Sequence, residues 1–238
     1  MWKRLYSQAD YKLWEGRSDA VNDDGKRGTD NKGDCNSQER ELMSELERIR
    51  RQVTECTKCD LCKSRTNSVP GKGNFQSDVV FVGEAPGRNE DKNGEPFVGA
   101  AGKRLSAALE EVGVMRDSVY ITNVVKCRPP NNRVPSAAER GTCVDYLNRE
   151  IAAIGPEIIC ILGNTAFNSI LGGSEIIKYR GKVVRKGSQL YFLTVHPAAT
   201  IYNQELIEVL NGDIAKLFYT ITQLKNGNKV TIDIEYSS

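Results

Sequence analysis

Apolar residues recur with two different periods along the chain. Leu42, Leu46, Ile49 and Val53 follow one another at intervals of 4, 3 and 4 residues, which is one face of a helix, and Ser37 stands where its N-cap would be. Beyond Cys56 short apolar runs alternate with amphipathic segments. Val79–Gly83 (VVFVG), Val119–Lys126 (VYITNVVK) and Glu157–Gly163 (EIICILG) read as buried strands, and Val183–Arg185 and Tyr191–Val195 as two more. Between them Leu105, Ala108, Leu109 and Val112 mark a helix. A second helix runs from near Ser136 to before Gly155-Pro156, a short one spans about Asn164–Leu171, and another begins near Gln204.

Strands alternating with helices predict an α/β fold, a three-layer α/β/α sandwich around a mostly parallel sheet of four to five strands. In such sheets ligands bind beyond the carboxyl ends of the strands. The residues there are Gly83-Glu84-Ala85-Pro86-Gly87, then Arg88 to Asp91 and Gly94 to Gly99, the turn after Asn123, and His196-Pro197.

Composition narrows the class. The 238 residues include 33 Lys+Arg against 31 Asp+Glu, a net charge of +2, and the sequence pI is near 8.1. That balance excludes a strongly basic nucleic-acid coat protein, and no long apolar run suggests a membrane span or a secretory leader. Residues 1–45 carry 8 basic and 10 acidic side chains, so the remainder is the more basic part, at net +4. Gly16 to Asn36 holds almost nothing apolar, and residues 1–36 are expected to be a weakly ordered extension. Residues 37–225 then form the domain and 226–238 a tail. A cytoplasmic protein without membrane attachment is expected, and in that compartment its seven cysteines stay reduced.

Cys56-x2-Cys59 and Cys127-x15-Cys143 make two thiol pairs that suit a tetrahedral zinc or an iron–sulfur cluster. Scattered core cysteines are an equal reading at such separations, and Cys62 offers a second C-x2-C with Cys59. Cys35 and Cys160 read as a spare thiol and a core residue. The loop GEAPG lacks the Lys-Ser/Thr of a P-loop and the G-x-G-x-x-G of a dinucleotide site. A buried amide needs partners, so Asn123 inside YITNVV either caps a turn or faces a ligand. His196 is the chain's single imidazole.

In order and at these spacings, C-x2-C-x-L, Arg65-Thr66, Gly71-Lys72-Gly73-Asn74, GEAPG-x2-ED-x2-G-x-PFVG-x-AG, NVVKCRPPNNR-x-P and His196-Pro-Ala form a specific set. Together they resemble the uracil-DNA glycosylase superfamily, and within it the thermostable-type, iron–sulfur branch called family 4, over roughly Cys56 to Phe218. The resemblance implies a monofunctional, monomeric hydrolase that removes uracil from single- or double-stranded DNA and starts base excision repair. A DNA-binding iron–sulfur protein of the same fold with little turnover is the alternative.

Family register implies Cys56, Cys59, Cys127 and Cys143 as ligands of one structural 4Fe-4S cluster, with Cys62 surplus. It implies Phe97 as the stacking face for uracil and Asn123 as reader of its edge, with Glu84 and Ala85 beside the ring. His196 would stabilise charge developing at O2. The superfamily's best-known branch has an Asp where this chain has Ala85, so Glu84, or else Glu90, is expected to hold the attacking water. Arg88, Lys126, Arg128 and Arg133 are the expected phosphate contacts. The loop Ala198 to Asn203 is expected in the minor groove, although the Arg found there in related enzymes is missing between Thr200 and Glu205.

Overall fold

The computed structural model describes residues 32–236. The expected extension 1–36 lies outside them except at 32–36, which open helix α1 (Lys32–Thr54), so this helix starts before Ser37. A two-residue strand β1 (Lys72–Gly73) precedes β2 (Val79–Gly83), a short helix α2 (Arg88–Asn93) and α3 (Ala100–Glu111). Strand β3 (Tyr120–Asn123) leads through a single 3-10 turn to α4 (Ala137–Ile154). Then come β4 (Ile158–Leu162), α5 (Asn164–Leu171), α6 (Ile176–Tyr179), β5 (Val183–Lys186) and β6 (Gln189–Thr194). Helices α7 (Ala199–Tyr202) and α8 (Glu205–Lys225) and strand β7 (Ile234–Tyr236) complete the described chain.

The sheet order is β1-β3-β2-β4-β6-β5-β7. Its centre, β3-β2-β4-β6, is parallel, as the alternation of strands and helices requires. The expected four to five strands are therefore extended to seven: β1 adds antiparallel to β3, and β7 adds parallel to β5 out of the stretch expected to be a tail. Each central strand is buried on both faces. Val79, Phe81, Ile121, Ile158 and Phe192 meet α3 and α8, while Val80, Val82, Ile159, Ile161 and Leu193 meet α1, α4 and α5.

Caps place the ends of α4 as the sequence implies. Ser136 and Glu139 form a reciprocal capping box, and Gly155 closes the helix in the left-handed region, with φ +59. The consequence is functional, because α4 carries Cys143 and Glu150 two turns apart on its buried face.

Candidate active site

The ends of β2, β3 and β6 open into a cavity of about 400 Å³ lined by Glu84, Ala85, Phe97, Asn123, His196 and Tyr202, among others. That volume lies within the range of small-molecule sites. The expected base-handling residues therefore meet in one place.

Close backbone approach makes this possible. Phe97 has φ +53, a conformation that non-glycine residues avoid. Two glycines make room for it: a Cβ on Gly102 would stand 1.7 Å from the Phe97 carbonyl oxygen, and one on Gly83 would stand 2.5 Å from both Phe97 Cζ and Asn123 Oδ1. Both carboxylate oxygens of Glu90 are engaged in holding the loop, accepting from the backbone N–H of Gly87 (3.1 Å) and of Gly99 (2.7 Å). Glu90 thus braces the turn that carries Phe97. Its neighbour Asp91 accepts from the backbone N–H of Thr66 at 2.8 Å, tying Arg65-Thr66 to the same loop.

Asn123 ends β3 and is 2% exposed. Its Oδ1 is the one buried side-chain polar atom without a hydrogen-bond partner among the described residues. Unmet buried acceptors cost about 1–3 kcal/mol and are rare in native folds. Asn123 is one of the residues that line the cavity.

His196 follows β6, partly accessible at the cavity wall but enclosed by protein, and Gly163 is its close neighbour: a Cβ there would come within 2.8 Å of the His196 Cβ. The backbone N–H of Ala198 donates to Nδ1 at 3.1 Å. Nδ1 is therefore unprotonated and the neutral ring carries its proton on Nε2. Burial pushes the imidazole down to about 4, which keeps it neutral at physiological pH. The rings of Phe97 and His196 lie 5.7 Å apart at 32°.

Glu84 is partly buried, and the Thr165 hydroxyl at the start of α5 donates to its Oε2. Among the expected phosphate contacts, Arg88 is exposed at the start of α2. Arg128 is partly buried and donates to Asn132 Oδ1 at 2.7 Å. Arg133 lines the cavity mouth, paired through both nitrogens with Glu139, whose carboxyl this pairing holds near 2. Lys126 is a correction. Its side chain is 1% exposed and paired with Glu150, so it reaches no phosphate. Tyr202, inside the stretch Ala198 to Asn203 expected in the minor groove but not singled out there, ends α7 and is 91% exposed at the cavity rim.

A second, small apolar cavity is lined by Cys56, Cys59, Cys127 and Cys143, and Cys62 is not among its lining residues. Cys160 is buried in β4. Arg65 spans the edge of this cavity, donating to Cys127 Sγ at 2.9 Å and to the Thr54 carbonyl at 2.8 Å. Burial raises the Cys127 thiol, and raises that of Cys143 to about 11. Among the described residues no three His, Cys, Asp or Glu side chains converge closely enough for a single metal ion. Four soft donors around an apolar space, with an N–H donor on one sulfur, are a ligand set with the chemistry to hold a metal centre.

Residues 70–217 match the family model of the uracil DNA glycosylase superfamily. The chain belongs to this superfamily, in its type-4 branch. A type-4 uracil-DNA glycosylase of Archaeoglobus fulgidus is 47% identical over 184 residues, covering 74% of this chain and 92% of that protein. That of Thermotoga maritima is 43% identical over 176 residues, covering 72% and 92%. A type-5 uracil-DNA glycosylase of Pyrobaculum aerophilum is more distant, 33% identical over 148 residues, covering 55% and 65%. The cavity at the strand ends and the thiol cavity both lie within the part of the chain that these relatives cover.

Proposed function

We infer that the chain excises uracil from DNA in repair, hydrolysing the N-glycosidic bond with the group Phe97, Asn123 and His196. The observation that carries the residue assignment is the unpartnered, buried Oδ1 of Asn123, a residue that lines a cavity large enough for a base.

A base stacked in a duplex is out of reach, so the nucleotide must swing out into the pocket, at a few kcal/mol for unstacking. The ring then stacks on Phe97. Asn123 Oδ1 accepts from uracil N3–H and its Nδ2 donates to O4. Cytosine presents an amino group and an unprotonated N3 at those atoms, so both groups would be mispaired, and such sites discriminate by several powers of ten.

As the C1′–N1 bond breaks, its electron pair goes to the base, and negative charge develops at O2. The Nε2–H of His196 donates to that oxygen, an electrostatic stabilisation by a neutral donor. Water adds its oxygen to C1′ and releases a proton to solvent; uracil leaves as an anion and is protonated afterwards. Glu84, anchored by Thr165, is the carboxylate that orients this water, since both oxygens of Glu90 already hold backbone N–H groups. Arg88, Arg128 and Arg133 take phosphates, which fixes position without reading sequence. Tyr202 at the rim supplies an aromatic face for the bases next to the vacated stack.

Cys56, Cys59, Cys127 and Cys143 would hold one 4Fe-4S cluster, whose contribution is a structural cross-link between the end of α1, the loop after β3 and α4. DNA is the proposed partner of a cytosolic monomer. Among the described residues no helix is long and apolar enough to cross a membrane.

The test is incubation with single- and double-stranded oligonucleotides carrying one dU, followed by alkali. Strand breaks at the dU are expected. Tight binding to the same DNA without released uracil would convert the reading to that of a lesion-binding protein.

A further inference from the structure

Between the base pocket and the thiol cavity lies an ion pair that the mechanism leaves unused. Lys126 Nζ and Glu150 Oε2 are 2.6 Å apart, each side chain 1% exposed. The ammonium also donates to the Thr122 hydroxyl and to the backbone carbonyl of Asn123, at 2.9 Å, so its three protons have three acceptors. Glu150 in turn accepts from the Thr122 hydroxyl at 2.7 Å and from the backbone N–H of Gly71 at 2.8 Å.

A buried ion pair is a weak source of fold stability. Desolvating two charges costs as much as their attraction returns, and apolar side chains of similar volume often serve a fold as well or better. A satisfied ion pair differs from an apolar contact in being directional. Here the direction is informative, because the ammonium grips the carbonyl of Asn123, a residue that lines the pocket.

Its other attachments lead to the cysteines. Lys126 lines the thiol cavity together with Cys143, and it is followed directly by Cys127. Glu150 lies two turns beyond Cys143 on the same face of α4. One pair thus joins the sulfur-bearing helix to the base-facing end of β3.

We propose that Lys126 and Glu150 are positioning residues for uracil excision, setting the Asn123 amide against the base and tying that setting to the cysteine loop. This rests on the reading of Asn123 as the uracil reader. Lys126 leaves the DNA contacts and becomes an internal strut.

The test uses the full chain with its metal, comparing wild type, Lys126→Met/Glu150→Leu and Thr122→Val. Single-turnover uracil release, affinity for uracil-free duplex and the Asn123 side-chain amide resonance by NMR are measured together with iron content. The double variant is expected to bind uracil-free DNA within about threefold of wild type while releasing uracil about 100-fold more slowly, the scale of a 1 Å misplacement. Thr122→Val, which removes only the shared hydroxyl, is expected to lose about tenfold, and it carries the test if the double variant does not fold. The Asn123 amide resonance shifts in both. Release at the wild-type rate, an unmoved resonance, or equal losses in DNA affinity and release overturn the proposal. Failure of wild type to release any uracil sinks the functional reading instead, and the resonance, read without substrate, still decides the role of the pair.

Discussion

The backbone N–H of Ala198 points at Nδ1 of His196, 3.1 Å away, and so fixes which nitrogen of the ring carries the proton. Protonating Nδ1 would break that hydrogen bond, in addition to charging a buried ring. Both effects act in the same direction as the fall of the imidazole to about 4 from its ordinary 6.5.

Excision by a neutral His196 is expected to be flat with pH from about 6 upward and to fall only as pH approaches 4. Stability has a matching window. Between 6.5 and about 4 the unfolded chain binds this proton and the folded chain does not, so the histidine's contribution is intact above 6.5 and is lost as pH drops through that range. Single-turnover rates and thermal melts across pH 4 to 9 check both. A rate that halves near pH 6.5 would show a cationic catalyst and refute the neutral-donor account. His196→Ala should slow release by about 100- to 1,000-fold.

Gly83→Ala is the smallest change aimed at the pocket. Its methyl would lie 2.5 Å from both Asn123 Oδ1 and Phe97 Cζ, so the reader and the stacking face must separate. We expect a soluble, folded protein with uracil release reduced at least about tenfold and affinity for uracil-free DNA preserved. Wild-type release by this variant would mean that the two side chains do not act on one base.

The cysteines make a prediction of a different kind. Cys143→Ser should lose bound iron and lower the melting temperature, because a ligand set of four would be broken. Cys62→Ser should keep its iron and colour, as Cys62 does not line the cavity. Iron loss from the Cys62 variant would move the ligand register by one thiol.

Phosphate contact by Arg88 is tested through salt. Removing one such contact with Arg88→Gln should reduce the slope of log affinity against log salt by about 0.9 on duplex DNA, with little effect on the rate once DNA is bound. An unchanged slope would take Arg88 off the DNA face.

How much of this could be read from the residues follows from how local each signal is. Strand β2 is a five-residue apolar run ending in glycine, and α4 carries its own start and stop in Ser136, Glu139 and Gly155, so both stand where the sequence puts them. Strand β7 has no such signature. Ile234 and Tyr236 become a strand only because β5 offers an edge to pair with, and that edge is formed by residues far away in the chain. Lys126 misled for the same reason. A lysine after an apolar run resembles a surface cation, and nothing nearby announces that Glu150, one helix later, will bury it. Glu84 could be singled out from its motif, whereas its anchor Thr165 could not.

The open acceptor on Asn123 also bears on how the protein can be improved or can drift. Replacing it with leucine would fill the same space without an unmet oxygen and should raise the melting temperature while abolishing excision. Any search for hardier variants that scores stability alone will be drawn to this position, and its best candidates will be inert. Sequence drift under relaxed selection for repair should run the same way, so the amide at 123 is a sensitive indicator of whether a descendant of this chain still repairs DNA.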